Sequence, residues 1–386
     1  MKKALALCMA TVMTAALATG CGPAAPGNTG STAQKEAGAT SAQETQKEAD
    51  AQTADAAGAG ETESGRGESG KNGSGKASDS SEVYTLQFST TMAADTFGVS
   101  EIVDCMAKIE ELTEGHVKFS QTFNGSLGDE NELLMSVMDG SLDLIIAGPG
   151  TLATVDPAFD IYNTPFMYEN YDHALAFWNS DAYAGWLKEH GDPMGITFMT
   201  TINQGFSGIL NNKRDVYSPD DLKGLKLRVP DQSSLITLCN EMGAVATPIA
   251  ASEQYISLSQ GVIDGAVHSM AAHVSWGLTE IAGHFTETNH MLACGMVEMN
   301  TDKLNSLPEE YRNIVIEQFT ECQTTIFNNT VASVKTDYAK AEADGVKIIY
   351  NDEVDMDAFR SKLSELVEGY KVIAPDFYEA AVSTKY

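Results

Sequence analysis

Apolar positions in the chain repeat with two different periods. Tyr84 to Phe88 is a short run that predicts a strand, and Val99, Ile102, Val103, Met106, Ile109 and Leu112 then return at helical spacing up to Gly115. Val117 and Phe119 alternate as a second strand, a helix is predicted from about Asp129 through Leu133, Leu134 and Val137 to Gly140, and Leu142 to Ala147 reads as a short buried strand. The β-α-β-α-β order predicts a mostly parallel sheet with covering helices, in which ligand sites gather at the carboxyl ends of strands.

A second pattern of the same kind follows the Asn163 to Tyr168 loop and a helix carrying Phe177, Trp178 and Trp186. Leu225 to Val229 alternates and is stopped by Pro230, a helix is predicted up to Met242, and Val262-Ile263-Asp264 reads as a short strand between Gly261 and Gly265. Two such patterns predict two lobes. Pro308 then opens a helical pattern running through Tyr311, Val315, Phe319, Cys322, Ile326, Val334 and Tyr338 to Gly345, long enough to brace both.

The first residues have another character. Lys2 and Lys3 precede an apolar run from Ala4 to Ala18 that ends in Leu17-Ala18-Thr19-Gly20-Cys21, the order of an export signal and too short to span a bilayer comfortably. Residues 1–20 are therefore expected to be a signal peptide, with Cys21 acylated after cleavage in the manner of a bacterial lipobox, although Ala18 stands where Leu is usual. Residues 21–82 are rich in Ala, Gly, Ser, Thr, Glu, Lys and Gln, and no aromatic residue precedes Tyr84. Such a segment buries too little apolar surface to offset its ordering entropy and is expected to be a tether of about 45 Å r.m.s. span.

Composition narrows the function. The net charge of −30 repels phosphate backbones and anionic membrane surfaces, so nucleic acid is excluded as a partner, and an anionic ligand would need a local cationic site. Cys105, Cys239, Cys294 and Cys322 lie far apart without zinc-site spacing and read as core thiols; no metal or cofactor is expected. The sequence has no His-Glu-x-x-His and no Gly-x-Ser-x-Gly, and the His268/His273 pair lacks further metal ligands by spacing, which leaves a lipid-anchored hydrolase as the weakest alternative.

The segment Ser218-Pro-Asp-Asp-Leu-Lys-Gly-Leu-Lys-Leu-Arg-Val-Pro230 closely resembles the most recognisable stretch of the DctP family, the substrate-binding proteins of TRAP transporters. The resemblance continues through Met242 to Pro248, Ser252-Glu-Gln-Tyr255, Gln260 to Gly265, Thr288-Asn-His290 and Leu307-Pro-Glu-Glu310, with Ser126 to Glu130 and Pro165-Phe166 as amino-terminal landmarks. It implies a two-lobed α/β periplasmic-binding-protein (Venus flytrap) fold with crossover strands and a long bridging helix. Lobe I is then expected over residues 83–204 with about 294–335, and lobe II over 205–293 with about 336–386.

The same resemblance implies capture of a small organic acid and delivery to a TRAP permease with small DctQ-like and large DctM-like membrane subunits, by a monomer held outside the cytoplasm through its lipid. Presentation of the ligand to a membrane sensor is the alternative. Family members grip the substrate carboxylate with the Arg of the Leu-Arg-Val-Pro strand, here Arg228. A lone strand Arg is ordinarily solvated, but its fixed charge and planar fork match a carboxylate.

Departures from the family shape the rest of the expected site. Ser207 follows Gly205-Phe206 where many relatives carry a second Arg, and His268 occupies an amide-bearing contact position, where it could donate to an anion or act as a pH-sensitive contact. Ala251 replaces a frequent aromatic, and Ser89 ends the first strand where a polar residue can touch ligand. Phe166 and Trp276 could wall the cleft, although large aromatics are more often core. Glu253 and Tyr255 read as structural. One cation and a His favour a monocarboxylate over a dicarboxylate.

Overall fold

The structure, a computed structural model, describes residues 82–386. The expected export signal, Cys21 and nearly all of the expected tether lie outside the described residues. Ten strands occur among them: β1 Tyr84–Ser89, β2 Val117–Thr122, β3 Leu144–Ala147, β4 Ile196–Asn211, β5 Lys226–Val229, β6 Val245–Pro248, β7 Gly265–Ser269, β8 His284–Thr286, β9 Leu292–Asn300 and β10 Lys347–Ile349.

The first sheet runs β2-β1-β3-β9-β4, with β1 parallel to β2 and β3, and β9 antiparallel to β3 and β4. The second is built on the far half of β4, which pairs antiparallel with β7 on one side and β8 on the other; β7, β5 and β6 continue in parallel, and β10 closes beside β8. The fold is therefore α/β and two-lobed, and β4 belongs to both lobes. Its 16 residues, buried or half-buried throughout, change sheets just after a bulge at Asn203/Gly205. Gly205 has φ of 89°, and a Cβ there would lie 2.9 Å from Cβ of Ser269, so the crossing needs a residue without a side chain.

Local signals explain the flanking elements. Helix Val99–Leu112 buries Val99, Ile102, Cys105, Met106 and Ile109 on one stripe. Helix Glu130–Met138 opens with a capping box, in which the Asp129 side chain accepts from the Glu132 amide at 2.9 Å and Glu132 accepts from the Asp129 amide at 3.0 Å. The long helix spans Glu309–Ala343, 35 residues and about 52 Å. Tyr311, Val315, Phe319, Cys322 and Ile326 pack into the first lobe, whereas Tyr338 and Ala341 pack with Leu210, Ala266 and Phe285 of the second. The four cysteines of this region are buried and free, as core thiols would be.

Two sequence expectations need correction. Val262 to Asp264 is a turn rather than a strand: the Asp264 carboxylate accepts from the Lys226 amide at 3.0 Å, and the strand proper begins at Gly265, where a Cβ would stand 2.0 Å from the Leu210 carbonyl oxygen. The boundary for lobe II over 336–386 also fails at its end. Phe359 and Leu363 do pack in the second lobe, but Tyr370, Phe377 and Ala381 join Phe159, Tyr162, Phe177 and Trp186 in the first. The apolar faces of the last two helices were legible in the sequence; their partner, an aromatic cluster some 200 positions earlier, was not.

Candidate functional site

The lobes touch beside the carboxyl ends of β3 and β5. The Asn163 amide donates to Ser234 Oγ at 3.0 Å. Gln232, which follows β5, packs on the backbone at Gly150, where a Cβ would lie 2.0 Å from Gln232 Oε1. Both contacts join the segment between β3 and β4 to the segment after β5, so they close one end of a cleft at the place where α/β sheets bind ligands. Neither Gln232 nor Gly150 was singled out in the sequence; a side chain two positions after Leu-Arg-Val-Pro and a Gly-Pro-Gly after a buried strand were the available signals.

Arg228 lies on β5, and its neighbours explain its orientation. Leu227 and Val229 enter one core of the second lobe with Ile209 and Val267, which sends Arg228 to the opposite face with its register partner Ala266. The residue is 3% exposed. Its Nε donates to the Ile249 carbonyl at 2.8 Å, yet no carboxylate among the described residues reaches its guanidinium. Burial lowers its pKa only to about 10, so it is a full cation at neutral pH. A buried cation is costly without a counter-charge, and the remaining fork is shaped for one.

His268 stands on the same face, two positions along β7 from Ala266. Its Nδ1 accepts from the Ser269 amide at 2.8 Å, which fixes the neutral ring's proton on Nε2. Burial, and then the neighbouring Arg228 charge, push its pKa down to about 3. The ring is thus a neutral donor throughout the physiological range, and the expectation of a pH-sensitive contact is not supported. Trp276 completes the wall: its ring lies edge-on to His268 at 5.0 Å, and the Arg228 Cζ is 6.0 Å from its centroid. Behind them His273 is fully buried and likewise neutral, held down by burial, then by His268 and Arg228. No group of three His, Cys, Asp or Glu side chains suited to a metal ion occurs among the described residues.

The other expected positions are dispersed. Ser207 pairs with Ser269 while His268 pairs with Gly208, so the Ser207 and His268 side chains leave the sheet on opposite faces. Ser207 Oγ is buried without a partner, as is that of Ser89 at the end of β1, on the first-lobe side of the cleft. Phe166, at φ of 59°, packs into the second lobe under the Arg360 guanidinium, 4.4 Å from its ring, and takes no place on the Arg228 wall. Ala251 is an exposed methyl two residues after the carbonyl that holds Arg228. A separate space of about 50 Å³ beneath the long helix is bordered by Glu287 and Asp337, which is the wrong sign for an acid.

The profile of the bacterial extracellular solute-binding protein family 7, DctP, matches residues 88–372. The chain belongs to this family. Among curated relatives, a solute-binding protein of Chromohalobacter salexigens is 26% identical over 303 residues, which cover 74% of this chain and 88% of the relative. A TRAP periplasmic solute binding protein from the same organism, solved with bound D-glucuronate, superposes with a TM-score of 0.71 at 23% identity over 78% of this chain and 98% of that one. The sugar acid binding protein DctPAm of Advenella mimigardefordensis, in complex with galactonate, gives 0.72 at 19% identity over 79% and 99%. These likenesses establish the same two-lobed fold. A DctP protein is an extracytoplasmic solute binder, and no described helix is long and apolar enough to cross a membrane.

Proposed function

We propose that this DctP protein captures a small monocarboxylate in the cleft between its lobes and delivers it to a TRAP-type secondary transporter. The observation that carries the reading is Arg228: a buried, fully charged guanidinium with one protein acceptor and no carboxylate partner among the described residues. A ligand carboxylate supplies the missing charge in the geometry that the Arg fork prefers. Only one such cation stands on this wall, with a neutral His beside it, which favours one carboxylate over two. The sugar acids held by the two structural relatives are of this class.

The remaining assignments rest on this one. Membership of a solute-binding family supports binding without turnover. Cys21 carries the lipid that keeps the domain beside small DctQ-like and large DctM-like membrane subunits, and one copy suffices for binding. Isothermal titration of the mature protein with a panel of mono- and dicarboxylates tests the core of the proposal. Arg228→Ala is expected to lower affinity for the acid that binds by about 100-fold or more, as for an unpaired buried charge partner. Unchanged affinity in that variant would sink the assignment.

A further inference from the structure

We infer that Cys105 and Cys322 are joined by a disulfide in the exported protein, formed while the chain folds, and that this bond staples helix Val99–Leu112 to the long helix Glu309–Ala343. The inference rests on the extracytoplasmic location of the family and on the packing of these two helices against each other, and is independent of the acid proposed above. A chain that folds outside the cytoplasm meets oxidising conditions, in which thiols brought side by side are converted to disulfides.

Of the four cysteines among the described residues, only these two share a core. Cys239 lies with Leu238 and Met242 in the second lobe, and Cys294 lies with Tyr162, Phe177 and Trp186 in the first. Cys105 and Cys322 stand together in the core that holds Met106, Ile109, Phe319 and Ile326. The register of their helices is pinned at Glu101. Its carbonyl accepts from the Cys322 thiol at 3.6 Å, and its carboxylate accepts from the Asn329 amide at 3.5 Å, two turns further along the long helix. Cys105 follows Glu101 by one helical turn and belongs to the buried stripe, where its thiol is in hydrogen-bond contact with that of Cys322. Thiols already in contact leave a disulfide little movement to complete.

As free thiols inside the finished fold, both are poor nucleophiles. They are 8% and 6% exposed, and the contact with Cys322, then burial, raises the Cys105 thiol far above its ordinary range. Only a thiolate attacks a disulfide, so the bond forms before the helices close over it and is shielded from reductant afterwards. The oxidant is itself a disulfide, that of a dithiol oxidase or of oxidised glutathione. One cysteine thiolate attacks it, forming a mixed disulfide and releasing one thiol. The second cysteine thiolate attacks the mixed disulfide, forming the Cys105–Cys322 bond and releasing the other thiol. Two electrons pass to the oxidant, and the two cysteine protons end on its thiols.

The staple leaves the lobes free to move. Cys322 lies in the first-lobe half of the long helix with Phe319 and Ile326, whereas Tyr338 and Ala341 make the second-lobe contacts. Both ends of the bond are thus in one lobe. It closes a loop of about 200 residues, which restricts the unfolded chain and stabilises the fold accordingly.

The test refolds the mature protein from urea in a mixture of reduced and oxidised glutathione, blocks free thiols with N-ethylmaleimide and digests with trypsin without reduction. Peptides 77–108 and 313–335 are expected to be joined in most molecules, two hydrogens lighter than their sum, while Cys239 and Cys294 carry the block. The oxidised protein should melt about 5 °C or more above the same protein refolded in dithiothreitol. Cys105→Ala and Cys322→Ala should each abolish that difference. Cys105 and Cys322 both carrying the block, either one joined to another cysteine, an oxidised form that melts no higher than the reduced one, or a difference that persists in either variant overturns the inference. None of these outcomes touches Arg228, so the capture reading stands or falls by its own titration.

Discussion

Among the described residues, each lobe buries one Arg or Glu side chain that has no ion pair, and the two are treated in opposite ways. Arg228 in the second lobe keeps its charge although it is almost fully buried. Glu298, on β9 in the first lobe, is fully buried; its Oε2 accepts from the Ala147 amide at 3.1 Å, and Oε1 has no partner. Burial, and then the charge of Glu130, push its pKa well above the carboxylate range, so that it holds a proton. A guanidinium cannot discharge at neutral pH and must await an outside anion, whereas a carboxyl group can simply take up a proton. The pair separates a charge kept for binding from one surrendered to the fold.

The largest way to break this comparison is Glu298→Gln. A raised folded pKa means that the folded state holds the proton more tightly, so this residue's contribution is fully present below the unfolded pKa near 4.5 and is lost as pH rises through the folded pKa. Glu298→Gln is therefore expected to be close to neutral at pH 4.5 and stabilising at pH 8 by about 1–3 kcal/mol, the scale for an unsatisfied buried polar group. Urea midpoints at the two pH values measure it; a penalty at pH 8 would show that Glu298 is ionised and paired.

Arg228→Met, read without ligand, is the next in size. Replacing an uncompensated buried charge by an apolar chain of similar length should raise the melting temperature of the free protein, with a gain on the order of 1–2 kcal/mol, while abolishing ligand-induced stabilisation. A destabilised free protein would mean that Arg228 serves the fold.

The smallest effect expected is none at all. Since Arg228 and His268 do not change charge between pH 5.5 and 8, acid affinity should be flat across that window once the ligand's own ionisation is accounted for. A tenfold change centred near pH 6.5 would show that His268 titrates in the cleft.

How much of this was legible in the sequence differs between the same two regions. Arg228 was readable because Leu225, Leu227 and Val229 alternate cleanly around it, and the strand forms with that facing. Glu298 was not, because Leu292 to Asn300 is buried on both faces and the alternation that would flag an inward carboxyl is absent. β4 escaped notice because Thr197 to Asn203 mixes polar and apolar residues without a period, while the strand is buried or half-buried along its whole length. Trp276 could be named as a possible wall, but only the fold brings its ring to Arg228 and His268.

The long helix Glu309–Ala343 contributes side chains to the cores of both lobes. Neither lobe can melt without stripping apolar cover from the other, so heat should see one cooperative unit rather than two modules. The lobes joined along β4 are thereby kept from coming apart.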